Sequence, residues 1–114
     1  MNVADELIQA SLIGEAVDNG PVAVFVLDED RRFVAVSRAA CELVGYSRED
    51  ILGLDASALG PKTSRWGELR NGSSITGTAS LRCKNGTTVE YAYVAGSTTV
   101  AGMAVYVSVG AVAT

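Results

Sequence analysis

Residues 3–18 place Val3, Leu7, Ile8, Leu12, Ile13, Ala16 and Val17 at intervals of three to five, with Asp5, Glu6, Gln9 and Glu15 between them. That spacing predicts an amphipathic helix with a broad apolar stripe. Asn2 supplies an N-cap, and Asn19-Gly20-Pro21 a stop. Residues 22–27 form a β-favouring run, 28–31 a polar turn, and 33–36 a second apolar stretch, which together predict a β-hairpin. Ser37 then stands at the N-cap of a short helix carrying Ala39, Ala40, Leu43 and Val44, stopped by Gly45. Ser47 caps another, with Asp50 three residues later completing a variant of the capping box before Ile51-Leu52-Gly53.

Between residues 55 and 74 the periodicity weakens. Gly60-Pro61 is a breaker, and residues 64–70 form a short helix around Trp66 and Leu69. Three β stretches follow, at 75–84, 87–95 and 103–109. Asn85-Gly86 joins the first two, and both residues tolerate the positive φ of a type I′ turn. The order predicts an α+β fold: a five-stranded antiparallel sheet with short helices on one face and an N-terminal amphipathic helix. The organisation expected is a helix over residues 1–19 and a single domain over 20–114.

Composition bounds what this fold can do. The 114 residues, 48% hydrophobic, suffice for one packed core. Nine Lys+Arg against 13 Asp+Glu give a net charge of −4, which argues against nucleic acid or anionic lipid as a partner. The chain has no His, so Ser-His-Asp and Cys-His nucleophiles, His-ligated zinc and His-ligated haem cannot be assembled from it. Cys41 and Cys83 have no metal-ligand spacing and read as reduced core residues of a cytoplasmic protein. The acidic N-terminus is unlike a signal peptide, and the longest apolar run, from Met103 to Val112, is broken by Ser108 and Gly110 and too short to span a bilayer. No membrane association is expected.

The segment 22–28, then 32–40, then Leu43-Val44-Gly45-Tyr46-Ser47 through Gly53, resembles the PAS (Per-Arnt-Sim) sensory domain, as does the later turn Lys84-Asn85-Gly86. The similarity runs from about Gly20 to Val109 and agrees with the order of elements read from periodicity alone. Ser37 stands where the family often has Asn, a change that keeps the N-cap. The resemblance implies a five-stranded fold, a sensing role and an isologous homodimer through the N-terminal helix. It also implies that the family's photoactive Cys and proximal haem His would lie on the crossover helices, and residues 56–69 contain neither. His-ligated haem and Cys-adduct flavin are thereby excluded, while an unidentified small molecule remains open. After the last strand the sequence lacks the family's usual connection to an output helix, so output is expected through a separate partner, through the N-terminal helix or through sequence outside this chain.

Charge is unevenly spread along the chain. Residues 1–61 carry a net −7, residues 62–84 a net +4 and the remainder −1. In the basic stretch Lys62, Arg65 and Arg70 surround Trp66, which suits a small aromatic or carboxylate ligand. A solvated polar face that offsets the acidic half is the alternative. Tyr91 and Tyr93 alternate along a strand and share a face, where they either line a pocket under the helices or pack against the N-terminal helix. That helix is too short to stand alone, so Val3, Leu7, Ile8 and Leu12 must be covered by its own sheet or by a second protomer. The acidic pairs Asp28/Asp30 and Glu49/Asp50 fall in a turn and a helix start, where solvation and capping account for them, and no catalysis is expected. The reading is a signal-sensing or interaction module; a ligand-free structural dimerisation domain is the alternative.

Overall fold

In the computed structural model, which describes residues 2–60 and 65–113, the expected elements appear in the expected order. Helix α1 (Val3–Asn19) is capped by Asn2, whose side chain accepts from Asp5 N. Strands β1 (Ala23–Leu27) and β2 (Phe33–Val36) form the first hairpin. Helices α2 (Arg38–Val44) and α3 (Arg48–Ile51) follow, then a single 3₁₀ turn (Ala56–Ala58) and α4 (Trp66–Arg70). Strands β3 (Ile75–Arg82), β4 (Thr88–Val100) and β5 (Met103–Val112) complete an antiparallel sheet of order β2-β1-β5-β4-β3. Residue 64, where the fourth helix was expected to start, lies outside the described residues, as does Lys62.

Two turns differ from expectation, for one reason. At Asn85-Gly86 only Gly86 takes a positive φ, +90°. Cys83 N bonds Thr87 O at 2.8 Å, and the Asn85 side chain accepts from Thr87 N at 3.0 Å. The connection is therefore a three-residue loop with glycine in the left-handed position, not a two-residue type I′ turn. Ala101 (φ +51°) and Gly102 (φ +78°) instead make the two-residue turn, with Val100 paired to Met103. This pairing carries β4 five residues beyond its expected end, and pairing of Gly110–Val112 with Tyr91–Tyr93 carries β5 three beyond its own. Polar Ser97, Thr98 and Thr99 read as a loop, but cross-strand hydrogen bonds to residues 104–106 override that local composition.

Ser37 does more than cap α2. Its hydroxyl oxygen accepts from Ala40 N at 3.3 Å and from Val24 N at 2.9 Å, and its hydroxyl donates to Val22 O at 3.2 Å, tying the helix start to β1. The capping box at α3 is half formed. Ser47 Oγ accepts from Asp50 N at 3.1 Å, but the Asp50 carboxylate turns away to Lys84 Nζ at 3.0 Å. Lys84 holds the Asp50 carboxyl below its ordinary range.

Helices α2 and α3, the 3₁₀ turn and α4 cover one sheet face. Phe25, Phe33, Val36, Ala40, Val44, Ile51, Leu59 and Tyr91 form the main core there. A second, smaller cluster joins Leu69, Ile75, Ala95 and Tyr106, with Trp66 against it. On the opposite face Val24, Val109 and Val94 lie side by side across three strands, and Val94 is 56% exposed. Helix α1 does not cover that face. Leu7 and Leu12 are 64% and 63% exposed, and no residue of α1 is buried. Its C-terminal end touches α2, and Asp18 pairs with Arg48. Within one chain, the sheet therefore leaves the apolar stripe of α1 uncovered. No helix among the described residues is long and apolar enough to cross a membrane.

Candidate ligand cavity

The two core clusters do not merge. Between them lies a cavity of about 480 Å³, walled by Phe25, Phe33, Leu59, Leu81 and Tyr91 of the first cluster and by Trp66, Leu69, Ile75 and Ala95 of the second. That volume falls within the range of small-molecule sites, and so does a largely apolar, aromatic wall.

The floor is built by strand register. Facing residues of neighbouring strands share a sheet face, so Ala23, Gly110, Tyr93 and Gly77 form one row across β1, β5, β4 and β3. Small residues flank the tyrosine in that row. A β-carbon at Gly77 would sit 3.4 Å from Tyr93 Oη, and one at Gly110 would meet Ala92 O and lie 2.7 Å from Tyr91 Cε1. The glycines let the Tyr91 and Tyr93 rings lie flat over the sheet, stacked with centroids 5.7 Å apart. Tyr91 is buried, its hydroxyl paired with Ser108 Oγ at 2.9 Å, and burial pushes its pKa up. Of the two places open to these tyrosines, they occupy the one under the helices.

The structure distributes the basic residues unequally. Arg65 lines the cavity, but its Nε and Nη2 donate to the two Glu68 oxygens at 2.6 and 2.9 Å, and its Nη1 donates to Thr76 O at 3.1 Å. The Glu68 carboxylate holds the guanidinium in its charged form and is itself held low by Arg65. Its donors therefore serve to fix α4 to β3. Arg70, in the last turn of α4, is exposed and not part of the wall, and Lys62 lies outside the described residues. Trp66 does line the cavity, its ring 4.4 Å from that of Tyr106.

Periodicity could not single out Arg31. It follows the β1 strand in the turn that the pattern marked only as polar. Its guanidinium carbon sits 5.6 Å from the Trp66 ring centroid, and it lines the cavity. Neither cysteine belongs to the wall: Cys41 is on α2, and Cys83 borders a separate groove of about 500 Å³ beside α2. The cation of that groove, Lys84, is already paired with Asp50. No adduct-forming thiol faces the cavity, and among the described residues no cluster of three metal-ligating side chains occurs.

The comparisons with known proteins agree with this architecture. A PAS domain from a two-component sensor histidine kinase superposes with a TM-score of 0.84 at 17% identity, covering 95% of this chain and 99% of that one. The PAS domain of a protein from Colwellia psychrerythraea gives 0.82 at 16% identity, covering 93% and 98%. The PAS domain of nitrogen regulation protein NR(II) from Vibrio parahaemolyticus gives 0.77 at 18% identity, covering 90% and 98%. No curated protein sequence matches the chain. At such identities structural likeness establishes the fold alone. The sequence profile of the PAS fold, however, matches residues 13–91, more than half of the chain, and on that ground the chain belongs to the PAS family.

Proposed function

We propose that the chain is a cytoplasmic signal-sensing module that holds a small organic molecule in the cavity under α4 and passes its state on through a homodimer or a separate partner, without catalysing a reaction. One observation carries the reading: the core is divided by a cavity of about 480 Å³ with aromatic walls. A purely structural dimerisation domain has no need of an apolar, aromatic-walled pocket of that size, whereas a small-molecule site does. The similarity to PAS domains of a sensor histidine kinase and of a nitrogen regulation protein supports the same reading.

The homodimer rests on α1. A 17-residue helix with no buried residue and an uncovered stripe of Val3, Leu7, Ile8 and Leu12 is marginal by itself in water, and a second copy of the chain offers an equivalent stripe. Native mass spectrometry with an absorption spectrum of freshly purified protein, followed by thermal-shift screening of small metabolites, tests the ligand reading. A ligand at about 100 times its Kd stabilises the native state by about 2.7 kcal/mol. The expected result is a copurified mass or a saturable rise in Tm. A bare mass together with a flat Tm across the screen would remove the ligand and leave the structural domain.

A further inference from the structure

Arg31 is the one cavity-lining cation whose charge the described residues leave uncommitted. Arg65, the other, is held by Glu68 and Thr76 O. Among the described residues, Arg31 Nε is buried and has no hydrogen-bond partner. Asp55 is the nearby acid, but its carboxylate accepts from Ser57 N at 2.9 Å, and Ser57 outweighs Arg31 in holding its pKa low. Arg32 next in sequence is spent on Gly53 O, to which its Nη1 donates at 2.9 Å.

The backbone adds an independent observation. Arg31 has φ +62°, the left-handed region that Gly and Asn occupy more readily than a long side chain. The turn needs that geometry. Arg31 N donates to Asp28 O at 3.1 Å, Asp28 Oδ1 accepts from Asp30 N at 2.9 Å and Arg32 N at 3.0 Å, and Ala56 N donates to Arg31 O at 2.7 Å. An arginine thus stands where glycine would suit the main chain better, and its guanidinium carbon lies 5.6 Å from the Trp66 ring centroid at the cavity wall.

We propose that the ligand is an organic anion, a carboxylate attached to a planar apolar ring, with the carboxylate paired with the Arg31 guanidinium and the ring lying among Trp66, Tyr93 and Phe33. This rests on the ligand-cavity reading and names the class of molecule. The planar guanidinium presents N–H donors as a fork that fits a carboxylate with two parallel bonds, which a neutral amide cannot match in charge. An aromatic wall with, among the described residues, one uncommitted cation selects a molecule with one acidic end and one flat end.

The test titrates 15N-labelled full-length chain with benzoate and naphthalene-2-carboxylate and with their neutral amides, at constant ionic strength. The readouts are the Arg31 Nε–H cross-peak, assigned by its loss in Arg31→Gln, and the indole N–H of Trp66, the only tryptophan. Both carboxylates are expected to move both signals saturably and to bind at least about tenfold more tightly than the amides. Arg31→Gln should bring acid and amide to equal affinity. Arg31→Gly, which relieves the positive φ, should do the same while melting no lower than the wild type. Equal binding of acid and amide by the wild type, or unchanged discrimination in both variants, overturns the anion assignment and leaves the cavity reading standing. Absence of saturable binding by either series overturns both.

Discussion

A β-carbon on Gly110 would meet the Ala92 carbonyl oxygen and lie 2.7 Å from Cε1 and 2.9 Å from Cζ of Tyr91, so the neighbouring main chain and the tyrosine ring together occupy the space a side chain at 110 would need. The ring crosses β5 there to reach Ser108 and in doing so forms part of the cavity wall. Gly110→Ala should therefore destabilise the protein by about 1–3 kcal/mol through overpacking, although Gly→Ala at an open site stabilises by restricting the unfolded chain. Thermal unfolding checks it. A fall in Tm of at least about 4 °C is expected, and an unchanged or higher Tm would mean that the ring and the β4 main chain at Ala92 both give way freely.

Tyr91 also sets a pH dependence. Burial is the first cause of its raised pKa, opposed by the Ser108 hydrogen bond. The folded state thus holds the phenolic proton more tightly than the unfolded chain does. That stability is fully present below the ordinary tyrosine value of about 10 and is lost as the pH rises through the higher folded value. Urea denaturation of wild type and Tyr91→Phe between about pH 8 and 11 should show the wild type losing stability more steeply at the alkaline end. Parallel curves would show that Tyr91 does not carry the slope.

Ser37→Ala removes one oxygen that serves two backbone N–H groups, of Val24 and Ala40, in a buried position. Losing a cap and stranding the Val24 N–H should together destabilise by about 2 kcal/mol. Ser37→Asn, with a longer acceptor, should recover the cap more fully than the bridge to β1. Chemical denaturation of the three proteins gives the order wild type, Asn, Ala; an Ala variant as stable as the wild type would show that water replaces the hydroxyl.

Replacing Leu7, Ile8 and Leu12 together with Gln is expected to turn the proposed dimer into a monomer in light scattering. Since no residue of α1 is buried within one chain, the Tm extrapolated to low protein concentration should change little. An unchanged mass would remove α1 from the interface.

Lys84→Gln should release the Asp50 carboxyl toward its ordinary range, because the lysine supplies both the leading hydrogen bond and the leading charge that depress it. A carboxyl 13C titration by NMR reads this directly. Stability should hardly move, since both side chains are more than half exposed and such pairs contribute little.

Local pattern sufficed where one short segment decides its own shape. The stripe of α1, the caps Asn2, Ser37 and Ser47 and the stop at Gly45 each depend on residues within one or two turns, and each formed as its residues require. The sequence also determined which chemistry was unavailable, because a chain without His cannot place one anywhere. What depended on residues distant in sequence was left to the tertiary structure. The extension of β4 through Ser97 to Thr99 follows from cross-strand hydrogen bonds to β5 that local polarity does not register. Of the basic residues around Trp66, charge counting could not tell that Glu68 claims Arg65 or that Arg70 faces solvent. Nor could it bring in Arg31, which lies 35 positions from Trp66 in sequence and meets it only because the β1–β2 turn and α4 pack side by side at the cavity wall. Composition and periodicity are properties of neighbours along the chain, whereas a cavity is a gap between elements, and its place and lining exist only once those elements are packed.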